Sequence, residues 1–219
     1  MQSFQGAIFD LDGTLLDSMW IWEQIDIEFL GRRGLPVPDD YLEKITPMHF
    51  YQAAEYTIGR FGLSETPDDL IAEWSDMALD AYRNRIGLKP YAKEYLLFLK
   101  EKGVKLSIAT ASSKEIYTPA LVRNGIYDLF DAFTTSDESP RGKGFPDVYE
   151  LAAKKVGLTA KDCAVFEDIY AGIKGAKMGG FYTIGVEDKY AANERDKIIQ
   201  DADLYIKSYE ELLVMEKGK

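Results

Sequence analysis

Past residue 87 the chain alternates between short apolar runs and longer stretches whose apolar positions recur at three- and four-residue spacing. The runs Val104 to Ala109, Ala132 to Thr135, Cys163 to Phe166, Phe181 to Val186 and Leu204-Tyr205-Ile206 predict strands. The stretches Ser113 to Asn124, Phe145 to Val156, Ile169 to Met178 and a last one from Tyr209 predict helices. Such alternation calls for α/β architecture, with a parallel sheet wrapped by helices. Gly103 closes a helix that starts near Pro90, and Asn124-Gly125 closes the next, in keeping with Pro near helix starts and Gly just past helix ends. Pro119 lies inside the 113–124 pattern and is expected to kink that helix.

One more strand-like run, Ala7-Ile8-Phe9, stands near the amino terminus and leads into Asp10-Leu11-Asp12-Gly13-Thr14. Between it and residue 87 the strand signal vanishes. Trp22, Ile25 and Phe29 form one helical stripe, and Ile71, Trp74, Met77, Ala78 and Ala81 another; both read as bundle core, not as a ligand shelf. Thr66-Pro67-Asp68-Asp69 has the composition of a helix start. The expected organisation is a Rossmann-like parallel-sheet core from 1–16 and 87–219, with a helical-bundle cap, 17–86, inserted after the first strand. The chain would leave and re-enter the core through Leu15–Ser18 and Arg85–Leu88, where Gly87 could absorb a lid motion.

Composition narrows the chemistry. With 219 residues, 46% of them hydrophobic, the chain can bury a large core. A net charge of −11 argues against a nucleic-acid binder and against adhesion to anionic membranes. No apolar stretch approaches the ~20 residues of a membrane span, and Met1 to Gln5 is neither basic nor part of a long apolar run, so a cytoplasmic address is expected. The single cysteine, Cys163, excludes an internal disulfide and reads as core. His49 is the only histidine, which rules out a His-rich zinc site and leaves acid/base work to carboxylates.

Asp10 and Asp12 stand where the first strand meets a glycine turn, at the edge where open α/β sheets bind ligands. Two close carboxylates repel unless a cation or a shared proton separates them. Thr110 ends the strand Leu106 to Ala109, and the hydroxyl with the N–H groups of Ala111, Ser112 and Ser113 can form a phosphate-sized pocket or a simple helix cap. Lys143 lies between Gly142 and Gly144 ahead of a helix opened by Pro146; it could neutralise an acid or a phosphoryl group, or be solvated, and Arg141 competes for the role. Glu167-Asp168 follows Ala164-Val165-Phe166 and repeats the pattern of the first strand, supplying the oxygen ligands that a hard cation such as Mg²⁺ requires.

Taken in order, Asp10-Leu11-Asp12-Gly13-Thr14, Thr110, Lys143 with Pro146-Asp147, and Glu167-Asp168 with Gly172 resemble the motifs of the haloacid dehalogenase superfamily of aspartate-nucleophile phosphatases. The likeness covers essentially the whole chain and points to the subgroup with a helical cap (C1, subfamily IA). It implies phosphoryl transfer in two steps, with Asp10 as nucleophile and Asp12 as general acid and base. It further implies Mg²⁺ held by Asp10, the Asp12 backbone carbonyl and Asp168 with support from Glu167, and phosphate bound by Thr110, Ala111, Ser112 and Lys143. The implied partner is a small phosphorylated metabolite, with no nucleic acid and no membrane, acted on by a monomer or weak homo-oligomer.

Two residues depart from the pattern: Gly144 replaces the usual proline after the lysine, and Ile169 the usual serine after the Glu-Asp pair. They lower the expected efficiency without removing a charged group. The dehalogenases lack the second aspartate. Sugar-phosphate mutases resembling beta-phosphoglucomutase keep it but carry a histidine ten residues further on, where Trp22 stands. A mutase is therefore the alternative reading. A non-catalytic phosphate-binding module on the same scaffold is a third, and its signature would be loss of Asp10 or Asp12.

Overall fold

The computed structural model describes residues 3–45, 48 and 50–217, so His49 lies outside the described residues. The chain divides into two compact units, Trp20–Arg85 and the residues on either side of it. In chain order the elements are β1 (Gly6–Phe9), β2 (Leu16–Asp17), α1 (Trp20–Arg32), α2 (Tyr41–Ile45), α3 (Phe50–Phe61), α4 (Pro67–Asn84) and β3 (Gly87–Leu88). Then follow α5 (Ala92–Glu101), β4 (Lys105–Thr110), α6 (Lys114–Arg123), β5 (Ala132–Thr135), α7 (Asp147–Lys155) and β6 (Cys163–Glu167). The last are α8 (Tyr170–Met178), β7 (Tyr182–Val186), α9 (Arg195–Asp201), β8 (Leu204–Ile206) and α10 (Tyr209–Lys217).

Six strands form one sheet in the order β5-β4-β1-β6-β7-β8, and every pairing is parallel. The expected α/β, Rossmann-like class is what the chain adopts. β1 is buried along its whole length because both sheet faces are covered. On one face Phe9 and Phe166 stack at 4.2 Å beneath Tyr95 of α5 and Tyr209 of α10. On the other, Ile8 and Val165 pack with Tyr149, Ala152 and Ala153 of α7 and with Ala176 of α8. Cys163 belongs to that second cluster, where burial pushes its thiol up to about 12. Strands added after β1 run first to β4 and β5 and then to β6, β7 and β8 on the other side. The strand order thus reverses between β1 and β6, and a crevice for ligands opens at such a switch point.

The two segments expected as hinges pair with each other. Leu16 lies opposite Leu88 and Asp17 opposite Gly87 in a short antiparallel ribbon, continued by a 2.8 Å bond from the Lys89 N–H to the Leu15 carbonyl. Gly87 therefore sits inside a paired segment. α6 contains Pro119 as the sequence indicates.

In the helical unit, Thr66 caps α4 through a reciprocal capping box with Asp69. α4 buries Leu70, Trp74, Met77, Ala78 and Ala81, while Ile71 is only half-buried. In α1 the core stripe is Ile21, Ile25 and Phe29. Trp22, expected in that stripe, is 37% exposed and rests edge-on against Phe50. One residue corresponds to about 100° of helix rotation, which carries Trp22 off the face that Ile21 occupies. No helix among the described residues is long and apolar enough to cross a membrane.

Candidate active site

The site is built from strand ends outward. The Asp10 N–H still bonds to the Phe166 carbonyl at 3.0 Å, so this acid rides on the last rung between β1 and β6 and is buried. The chain then turns at Gly13, whose φ of 82° favours glycine. A side chain there would also collide with the Asp168 carboxylate, so two independent constraints demand glycine. Thr14, in the same turn, donates its hydroxyl to Asp168 Oδ1 at 3.0 Å, and the Tyr209 hydroxyl holds the Thr14 carbonyl at 3.2 Å.

Lys143 is not solvated. Its side chain is 10% exposed and its ammonium bridges Asp10 and Glu167, the latter at 2.7 Å. Arg141, the competing cation, is half-exposed and pairs with Asp147. The Lys143 loop is seated on α8: a side chain at Gly175 would strike the Lys143 carbonyl and the Phe145 backbone. Gly144 has open space around it. Glu167 is fully buried, with Oε1 receiving Lys143 and, at 2.8 Å, the Tyr149 hydroxyl. Its carboxyl lies against Gly172, where no side chain would fit, and Oε2 has no hydrogen-bond partner.

Ligand oxygens of Asp10, Glu167 and Asp168 lie within 4.8 Å of one another. Burial, reinforced by Glu167, Asp168 and Asp12 and opposed by Lys143, drives the Asp10 carboxyl well above the carboxylate range. Burial and then Glu167 raise Asp168 to about 7, against Lys143 and the Thr14 hydrogen bond. Burial works against the Lys143 ammonium, yet Asp10 and Glu167 outweigh it and hold its pKa above the usual lysine value. Three acids facing one ammonium carry two excess negative charges when ionised. An orphaned buried oxygen in an all-oxygen donor set completes the case: these residues fit a hard divalent cation.

Asp12 is treated differently. Its carboxylate accepts the Ser18 hydroxyl at 2.7 Å and the Ser112 hydroxyl at 2.6 Å, outside the three-acid cluster. Thr110, buried at the end of β4, accepts the Ser112 N–H at 3.0 Å. Ser112, expected to meet phosphate, thus has both its N–H and its hydroxyl engaged by protein. Sequence reasoning missed Tyr149, Ser18 and Gly175; nothing in their local sequence sets them apart, since each matters through a partner more than six residues away or, for Ser18, through a single side-chain bond.

The chain matches haloacid dehalogenase-like hydrolase over residues 4–180. Hexitol phosphatase A of Escherichia coli (strain K12) is 30% identical over 214 residues, which cover 96% of this chain and 94% of that protein. Validoxylamine A 7'-phosphate phosphatase of Streptomyces hygroscopicus subsp. limoneus is 29% identical over 201 residues, covering 90% and 94%. Among solved structures, a candidate beta-phosphoglucomutase from Thermotoga maritima superposes with a TM-score of 0.85 at 22% identity, covering 98% of this chain and 100% of that one, and so shares its fold. With the sheet order, the clustered acids and these matches in agreement, the chain belongs to the haloacid dehalogenase-like hydrolase family.

Proposed function

We propose that this enzyme is a Mg²⁺-dependent phosphatase that hydrolyses a small phosphorylated metabolite through an aspartyl-phosphate on Asp10. The observation that carries the reading is the separation of the two acids. Asp10 sits among Lys143, Glu167 and Asp168, while Asp12, two residues on, is held by Ser18 and Ser112 away from that cluster. Placing two carboxyl groups in unlike environments is how one site obtains a nucleophile and a proton carrier.

In this reading an Asp10 oxygen attacks phosphorus as the bond to the substrate oxygen breaks, and Asp12 gives its proton to the departing alkoxide. Water then attacks the same phosphorus, Asp12 takes the proton back, and orthophosphate leaves with Asp10 restored. Lys143 opposes the burial and repulsion that raise Asp10, and with the Thr110 hydroxyl and the Ala111 N–H it neutralises the transferring oxygens. Asp10, Asp168 with Glu167, and the Asp12 carbonyl would hold Mg²⁺, which when bound would supply charge neutralisation between two anions that otherwise repel. Residues 17–86 serve as cap, and 1–16 with 87–219 as catalytic core. The names of the relatives support a carbohydrate-like phosphate ester as substrate.

Phosphate release from p-nitrophenyl phosphate and from a hexitol phosphate tests this. Chelator and Asp10→Asn are each expected to remove activity by at least ~10³-fold. Activity that survives either treatment overturns the mechanism. The mutase alternative requires a histidine where Trp22 stands, and conversion of β-glucose 1-phosphate to glucose 6-phosphate in the presence of a bisphosphate is expected to stay at background.

A further inference from the structure

Beside the three-acid cluster lies a second buried charge pair that the proposed mechanism does not use. Lys89 donates to Asp188 Oδ2 at 2.7 Å, and their side chains are only 12% and 2% exposed. Asp188 follows β7, the strand next to β6, with Glu167 in register with Gly185. The Asp188 carboxylate therefore emerges at the same sheet edge as Asp168, one strand over. Its Oδ1 accepts the Tyr190 N–H at 2.8 Å, which fixes its orientation. Lys89 arrives from the other side, directly after β3, and its backbone N–H holds the Leu15 carbonyl at 2.8 Å. Leu15 is next to Thr14, whose hydroxyl holds Asp168. The pair thus spans the turn that carries Asp12 and Gly13 and the strand end beside Asp168.

Ion pairs this deep cost desolvation and are weak contributors to stability. This one also puts a full negative charge near acids that already repel one another, and Asp188 is among the charges acting on Asp168. We propose that Lys89 and Asp188 form a charge-balancing pair, each cancelling the other's field at the Asp10, Glu167 and Asp168 cluster, so that either charge left alone would shift how tightly the cluster holds a divalent cation. Both are positioning residues that act through the cluster without binding the ion. The inference rests on the proposed cation site.

The two halves of the pair have opposite signs, which separates this role from a merely structural one. In Asp188→Asn an unmatched ammonium remains beside the cluster, and Mg²⁺ affinity measured by titration calorimetry is expected to fall about tenfold. In Lys89→Met an unmatched carboxylate remains, and affinity is expected to rise by a similar factor. The double variant is expected to return to within about twofold of wild type. Shifts in the same direction for both single variants, or no shift in either, overturn the proposal and leave the cation site standing. A wild-type protein that takes up no Mg²⁺ overturns the cation site, and the proposal with it. If one single variant fails to fold, the other decides: a shift in the direction given supports the pair, and no shift or the opposite one overturns it.

Discussion

In the sheet unit Asp10, Lys143, Glu167, Asp168, Lys89 and Asp188 gather at or beside the carboxyl ends of β1, β6 and β7. In the described part of the helical unit the buried acid is Asp26, and the unit's ion pairs, among them Arg33 with Glu65 and Glu73 and Arg60 with Asp40, lie partly in water. Burying charge is costly wherever it is done. At the sheet edge the cost is offset by opposite charge and by a donor set that fits a cation. Around Asp26 it is offset by a proton below about pH 7, because burial raises the carboxyl to about 7 against the hydrogen bond from the Tyr41 hydroxyl, 3.5 Å away and itself bonded to Thr57 at 2.8 Å. The difference distinguishes a site from a core defect: charges that converge from several strands onto one point have a ligand to meet, whereas a lone acid under a helix does not.

Removing the cation at the sheet edge should produce the largest stability effect. Lys143→Met leaves Asp10 and Glu167 buried without their ammonium, and urea unfolding is expected to show a loss of about 3–5 kcal/mol. A loss below about 1 kcal/mol would return Lys143 to the status of an ordinary surface lysine.

The acid of the helical unit should show its presence through pH. Burial raises Asp26 from 3.8 to about 7, against the hydrogen bond from Tyr41. The native state thus holds a proton that the unfolded chain has lost, so this contribution is full below about pH 4 and disappears as pH rises through about 7. Asp26→Asn is expected to remove that slope, gaining about 4 kcal/mol relative to wild type at pH 8 and little at pH 4. A difference between the two proteins that stays constant across this range would mean that Asp26 is ionised in the fold.

The surface pairs should matter least. Arg33 joins Glu65 and Glu73 and lies 3.8 Å over the Phe29 ring. Arg33→Met is nevertheless expected to cost about 1 kcal/mol or less, a difference that shrinks further at 1 M salt. A loss comparable to that of Lys143→Met would erase the contrast between the two units.

The sheet and the acids were legible in the sequence because their signals are local. An apolar run ending in Asp10-Leu11-Asp12-Gly13 and another ending in Glu167-Asp168 each announce a strand and a site within a few residues. Lys143 was legible as a position but not as a buried group, since its burial depends on Gly175, some thirty residues later, admitting the loop. The β2–β3 ribbon has two residues per strand, too short to carry a period. Trp22 and Asp26 were misplaced or missed for a related reason: apolar spacing identifies a helix but leaves its rotation uncertain by about one residue, enough to exchange an exposed tryptophan for a buried isoleucine. The Lys89–Asp188 pair joins residues 99 apart and has no sequence signature at all.

The central position of β1 has a consequence for how the molecule is made. Its neighbours are β4, which begins at Lys105, and β6, which begins at Cys163. As the chain leaves the ribosome, Gly-Ala-Ile-Phe must wait as an unpaired apolar strand while the helical unit is synthesised in between. The second wall of the Asp10 site does not exist until Cys163–Glu167 has emerged. Long-range pairing of this kind is slow and exposes sticky edges. The acids are thus brought together late, and a truncated or stalled chain would present the first strand to other molecules before it had any chemistry to perform.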